Sequence, residues 1–204
     1  MGGRAGGGGA GFGSRSGGGR GDASMRHLSA AAQKTLKAQE ESIRRMGVEY
    51  GVVMDEKGNV IWKGTDNSDH QVRILAPAQN MIVTHNHPLQ GRSKGRDRAD
   101  DGGSFSKQDF QYARGIDAKE MRAVTGKYTF SIRRPATGWN PGHKDEGAYR
   151  RAKARVDRRI KKYYEATKKD WKTAGHRVSA TYWHLVNKEF AKAAGYTYTK
   201  TKVN

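Results

Sequence analysis

The 204-residue chain has no cysteine. That absence excludes disulfides and thiolate metal sites, and leaves histidine and carboxylate as the side chains available to hold a metal. Long apolar runs are missing as well: none reaches the length a bilayer span requires, and the N-terminus lacks the apolar segment of a secretory signal. A soluble, cytoplasmic protein with no membrane partner is therefore expected. Acid is scarce, with 20 Asp and Glu against 39 Lys and Arg, a formal net charge of +19. Such a field favours nucleic acid, acidic proteins or other polyanions as neighbours, although charge alone gives affinity without sequence specificity. The sequence contains no internal repeat.

Residues 1–22 hold twelve glycines and almost nothing apolar except Phe12, with Arg4, Arg15 and Arg20 scattered among them. This composition cannot build a core and reads as a flexible basic arm, either a solvated leader or a contact to nucleic acid. Ser24 is placed to cap a helix over about residues 25–46, with Met25, Leu28, Ala32, Leu36, Ile43 and Met46 on one stripe and Gly47 as its stop. From Val48 the period changes to two, which predicts a strand through Asp55. Glu56-Lys57-Gly58-Asn59 is turn chemistry, and Val60-Ile61-Trp62 returns as the hairpin partner. Gln71 to Leu75 is a candidate third strand.

Met81-Ile82-Val83-Thr84 reads as a short buried strand running into His85-Asn86-His87-Pro88. Strand side chains alternate between faces, so His85 and His87 project to one side, where Pro88 ends the strand. Two neighbouring imidazoles suit zinc, whose catalytic sites take three protein ligands and keep one position for water. A charged, glycine-containing stretch follows, expected to be an exposed loop. Ser106-Lys107-Gln108-Asp109 then starts a helix. Its hydroxyl and carboxylate share one side of the first turn, and the same residues read as a capping box with Phe105 and Phe110 as a hydrophobic staple. The two roles are compatible. His27, His70, His143, His176 and His184 stand isolated and receive no role.

Residues 120–124 and 128–132 read as a hairpin around Thr125-Gly126-Lys127, and residues 135–141 as a loop. Beyond them Tyr149, Ala152, Val156, Ile160, Tyr163 and Trp171 keep helical spacing over about 145–172, with arginines and lysines on the other faces. These cations offer a surface for nucleic acid or simply a solvated face. A second helix is expected over 177–194, ended by Gly195. Trp62, Trp139 and Trp183 are read as packing residues.

Taken in order, Glu49-Tyr50-Gly51-Val52-Val53-Met54-Asp55, Ile82-Val83-Thr84-His85-Asn86-His87-Pro88 and Ser106-Lys107-Gln108-Asp109 resemble the JAB/MPN (JAMM) metalloprotease family, most closely its bacterial RadC-type branch. The resemblance covers about residues 48–132. It implies that His85, His87 and Asp109 bind zinc, that Glu49 is the general acid/base and that Ser106 helps stabilise an oxyanion. Eighteen residues separate His87 from Ser106, more than the family's compact motif carries, so Asp100 and Asp101 stay open as alternatives to Asp109.

The fold expected is α/β (α+β), a mixed and mostly antiparallel sheet flanked by helices. The chain divides into an arm (1–22), a JAB/MPN-like metal-binding domain (23–140) and a basic helical extension (141–204). The function expected is zinc-dependent hydrolysis of an amide or isopeptide bond in a peptide or protein substrate. The alternative is a basic nucleic-acid or virion-associated binding protein on the same scaffold without catalysis. Size, basicity and the glycine-rich start resemble small modules encoded by phages and mobile elements, which would place the protein in a host cytoplasm.

Overall fold

A computed structural model describes residues 23–69, 71–88, 103–167 and 171–203, with the side chains of 171–181 left aside. The expected arm therefore lies outside the described residues, as do His70, Asp100, Asp101 and the side chain of His176.

The chain opens with a 3-10 turn, Ala23–Met25, and continues as α1 (Ala30–Ile43), β1 (Tyr50–Met54), β2 (Val60–Thr65), β3 (Ile82–Asn86), α2 (Lys107–Gly115), β4 (Glu120–Val124), β5 (Tyr128–Arg133), α3 (Gly142–Thr167), α4 (Trp171–Ala194) and β6 (Thr197–Lys202). Six strands form one sheet in the order β2-β1-β3-β4-β5-β6. All neighbours are antiparallel except β3 and β4, which run parallel and are joined through α2. The mixed, mostly antiparallel sheet with flanking helices is thus present.

The period of two sorts the sheet into faces. Val53, Val83, Met121, Ala123, Phe130 and Ile132 point to one side and join a large cluster with Phe105, Phe110, Tyr149, Val156, Val186 and Phe190 from α2, α3, α4 and the approach to α2. The opposite side takes α1: Met54 and Ile82 meet Met25, Leu28, Ala32 and Leu36, while Val52 and Val124 meet Ile43. Residues 142–203 share the first of these clusters with the sheet.

Several boundaries differ from the sequence expectation, each for a local reason. Ser29, not Ser24, caps α1 and accepts from the Ala32 amide. Ser24 is buried instead against Arg122, and Met25 and Leu28 reach the core from the turn rather than from a helix. The helix ends at Ile43, before Gly47, and the side chain of its C-cap residue, Arg44, turns in to donate to the carbonyls of Thr125 and Tyr128 and to Thr129 Oγ1. Residues 71–75 form no strand. Their backbone is held by a side chain, the Arg73 amide donating to Asp66 Oδ2 at 2.8 Å, while Ile74 packs inward and Leu75 is exposed.

The turn between β1 and β2 follows expectation: the Asp55 carboxylate accepts from the Lys57 and Asn59 amides. Gly58 has φ +97° and lies against the backbone of Ala32, where a Cβ would come within 3.0 Å. Both facts favour glycine there. Gly195, at φ +78°, ends α4 with Tyr196 N bonded back to the Ala191 carbonyl. The strand that follows, β6, was not expected. Its Thr-Tyr-Thr-Lys-Thr-Lys sequence has no apolar alternation, but Thr and Tyr are good strand formers and could have signalled it.

Candidate metal centre

β3 is buried along its whole length and brings its C-terminal end to the first turn of α2. His85 follows Val83 onto the face that carries α2, and His87 continues two residues further on that side. The two Nε2 atoms lie 2.9 Å apart. Asp109 meets them from α2, its Oδ1 3.5 Å from His85 Nε2 and its Oδ2 3.9 Å from His87 Nε2.

The far side of each ring is tied down. His87 Nδ1 lies 2.7 Å from the Gly103 carbonyl, which makes it the donor and leaves Nε2 with its lone pair. His85 donates a ring N–H to the backbone carbonyl of Arg122, and with Nε2 turned to the cluster, Nδ1 is the nitrogen left to donate. Three possible ligand atoms thus converge, one from each residue. Burial pushes the His85 imidazole down to about 4, the Asp109 charge opposing and His87 adding to the shift. At neutral pH the ring is neutral, the form that ligates.

The three ligand atoms lie within 4.8 Å of one another. For an ion held at 2.0–2.2 Å in tetrahedral geometry, neighbouring ligand atoms sit about 3.3–3.6 Å apart. The imidazole nitrogens lie 2.9 Å apart, and Asp109 approaches them through different oxygens, Oδ1 at 3.5 Å from His85 and Oδ2 at 3.9 Å from His87; these separations lie near that value, so the residues present fit a metal ion.

Asp109 also completes the capping box of α2. Its Oδ2 accepts from the Ser106 amide at 2.6 Å, and the Asp109 amide donates to Ser106 Oγ at 3.2 Å. Phe105 and Phe110 form the staple, with ring centroids 5.5 Å apart. The cap therefore fixes the carboxylate while Oδ1 stays directed at His85. Ser106 is exposed, and as a cap its oxygen accepts, so the hydroxyl proton remains free to donate outward.

Glu49 precedes β1. The antiparallel register pairs Gly51 with His85; continued by two residues, it sets Glu49 opposite His87 on the same face. Burial, followed by repulsion from Asp109, pushes the Glu49 carboxyl up to about 8. It lies outside the three-ligand group but within reach of its charge.

Two positioning features escaped sequence reasoning. Asn86, fully buried between the histidines, accepts from the Tyr50 amide at 2.6 Å and donates to the carbonyls of Met46 and Val48. It locks the segment bearing Glu49 onto the histidine strand. Its position inside His-x-His was the only available signal. The second feature holds Gly103. Asn187 of α4 donates to Ser104 Oγ and to the Phe105 carbonyl, and Ser104 Oγ lies 2.8 Å from the Tyr198 hydroxyl, which also meets His184 Nδ1 at 2.9 Å. The bonds to Ser104 and Phe105 span more than 80 residues of sequence and left no local trace.

Groups that orient a ligand from behind typically govern metal affinity by 10–100-fold. Asn187→Ala, which frees residues 104–105 next to the Gly103 carbonyl, should weaken metal binding by at least about tenfold in a competitive chelator titration. Tyr198→Phe should have a smaller effect in the same direction. Unchanged affinity in both variants would separate the C-terminal segment from the site.

Among the described residues no helix is long and apolar enough to cross a membrane. Compared with known family models, curated proteins and solved structures, the chain matches none significantly.

Proposed function

We propose that the chain is a zinc-dependent hydrolase of amide or isopeptide bonds. The observation that carries this reading is the convergence of three lone-pair donors, His85 Nε2, His87 Nε2 and an Asp109 oxygen, with a proton-holding carboxyl beside them. Two imidazoles and one carboxylate are a ligand set of catalytic zinc sites, and they leave a fourth position for water. The ordered motifs that resemble the JAB/MPN family support the same reading.

Zinc bound there would supply a water of near-neutral pKa and polarise the scissile carbonyl. Glu49 takes the proton from the attacking water and returns it to the leaving amine nitrogen. Its burial supports this role, because a carboxyl with pKa near the working pH can both hold and release a proton. The Ser106 hydroxyl donates to the oxygen that develops negative charge on the substrate. Asn86 keeps the Glu49 segment and the histidine strand in register.

The test is metal content by mass spectrometry together with cleavage of an isopeptide-linked reporter. Chelation should abolish cleavage and zinc should restore it. A protein that holds no metal in any condition would sink the reading and favour a non-catalytic binding scaffold.

A further inference from the structure

α3 carries nine Lys or Arg against four Asp or Glu, so this one helix contributes more than a quarter of the chain's formal charge of +19. Their placement is not uniform. Ala148, Tyr149, Ala152 and Val156 are buried against the core. Along one exposed flank Lys144, Arg151, Arg155, Arg158 and Lys162 recur at intervals of seven, four, three and four residues. These intervals keep them on one stripe of a 3.6-residue helix.

Carboxylates neutralise only part of this stripe. Arg155 shares Glu189 with Arg159, at 3.6 and 3.7 Å. Among the described residues, Arg151, Arg158 and Lys162 have no carboxylate within ion-pair distance, whereas Lys153 and Lys161 are paired to Asp157 and Glu165 on another side of the helix. From Arg151 to Lys162 the row advances in steps of about 6, 4.5 and 6 Å, the scale on which a strand presents its phosphates.

We infer that this exposed flank of α3 is a track for the phosphodiester backbone of a nucleic acid. A lipid surface fits poorly, because an interfacial helix needs a free apolar face and that of α3 is buried in the core. An acidic protein fits poorly as well, since protein interfaces rest on apolar anchors at their centre. The one large apolar residue exposed on α3 is Tyr163, at the far end of the row and edge-on to Tyr164. A tyrosine there suits base stacking.

The track begins beside the metal centre. In the first turn of α3, Glu146 pairs with Lys107 at 3.3 Å and Asp145 with Arg114 at 3.5 Å, both from α2, whose first turn holds Asp109. The inference does not depend on the hydrolase reading, because the track needs no metal.

The test is fluorescence anisotropy with labelled 20-nucleotide single-stranded and duplex probes of mixed sequence, titrated over a range of salt with and without chelator. The triple variant Arg151→Gln/Arg158→Gln/Lys162→Gln is compared with Lys34→Gln/Lys37→Gln/Lys57→Gln, which removes equal charge from exposed positions elsewhere. Each lost phosphate contact lowers the slope of log affinity against log salt by roughly 0.7–0.9. The α3 variant should therefore lose a slope of about 2–3 and bind at least tenfold more weakly at intermediate salt. The control variant should lose less than half as much, and chelator should change neither. Equal losses in the two variants would show diffuse attraction and overturn the track, as would an unchanged slope in the α3 variant or no saturable binding by wild type at low salt. Thermal midpoints of both variants, expected to match wild type, confirm that folding is not the cause.

Discussion

Glu49→Gln is expected to keep near-stoichiometric zinc and lose hydrolysis by roughly two to four orders of magnitude, the usual cost of removing a general acid/base. His87→Ala should lose zinc and activity together, since two remaining protein ligands rarely hold a catalytic zinc. Asp109 needs a finer pair of substitutions because the proposed ligand is also the observed helix cap. Asp109→Ala removes both the ligand oxygen and the bond from the Ser106 amide, and so should also cost about 1 kcal/mol of helix capping. Asp109→Asn retains an acceptor for that amide, so it should keep stability while weakening zinc. Asp101→Ala should be silent. If Asp101→Ala loses zinc and both Asp109 variants keep it, Asp109 is a cap and no ligand.

The same Glu49 variant has a pH signature in metal-free protein. The folded-state carboxyl is raised to about 8, so between the ordinary carboxylate range and pH 8 the unfolded chain releases a proton that the folded chain retains. Stability due to this group is present at low pH and falls as pH rises through that window. Glutamine does not titrate. Glu49→Gln should therefore match wild type near pH 4 and become more stable towards pH 8, by a few kcal/mol at a rate of about 1.4 kcal/mol per tenfold difference in proton affinity. Urea unfolding in chelator at several pH values measures it; a pH-independent difference would show that Glu49 is not held protonated.

The second large effect lies on the opposite face of the sheet. Arg122 is fully buried, donating to Glu40 at 2.5 Å, to Glu120 at 2.6 Å and to Ser24 at 2.8 Å. Ser131 donates to the same Glu120 oxygen, and His27 lies 3.1 Å from the other. Burial alone would raise the Glu120 carboxyl, but Arg122, His27 and Ser131 outweigh it and hold the group below the usual carboxylate range. Arg122→Met would leave two carboxylates buried without their cation, and removing one partner of such a set costs about 3–5 kcal/mol.

That loss should be greatest at neutral pH and shrink on acidification, because uncompensated burial raises a carboxyl and protonation then relieves the penalty. Adding Glu40→Gln and Glu120→Gln to Arg122→Met should recover part of the stability. A loss under 1 kcal/mol for the single variant would show that the network is not closed as described. The candidate metal centre is linked to this network through the backbone, since Thr84 pairs with Arg122 in the β3–β4 ladder and the Arg122 backbone bonds to the ring of the adjacent His85.

Local chemistry was readable from the residues themselves. The period of two through His85 and His87, the Ser106 to Asp109 box with its phenylalanine staple, and the Asp55 to Asn59 turn each involve residues within five positions of one another. For such groups backbone geometry alone fixes which side chains meet. The cationic stripe of α3 was readable in the same way, its helical period showing which side would be apolar.

Tertiary structure decided the rest. Glu120 and Arg122 alternate with Met121 and Ala123 and have the pattern of a half-solvated strand, yet α1 and the turn before it cover them and turn a polar face into a buried ion network. Residues 71–75 alternate too, but the Arg73 amide is taken by the Asp66 side chain and the segment joins no strand; β6 shows little apolar pattern and becomes a strand because β5 offers it an edge. Asn86, Asn187 and Tyr198 act on partners far away in sequence, where only packing determines proximity. The sequence determined which groups could bind a metal or a phosphate, because that is a property of each side chain and its nearest neighbours. The fold decided which of them stand within ångströms of each other and which lose their water, because both depend on how distant segments pack.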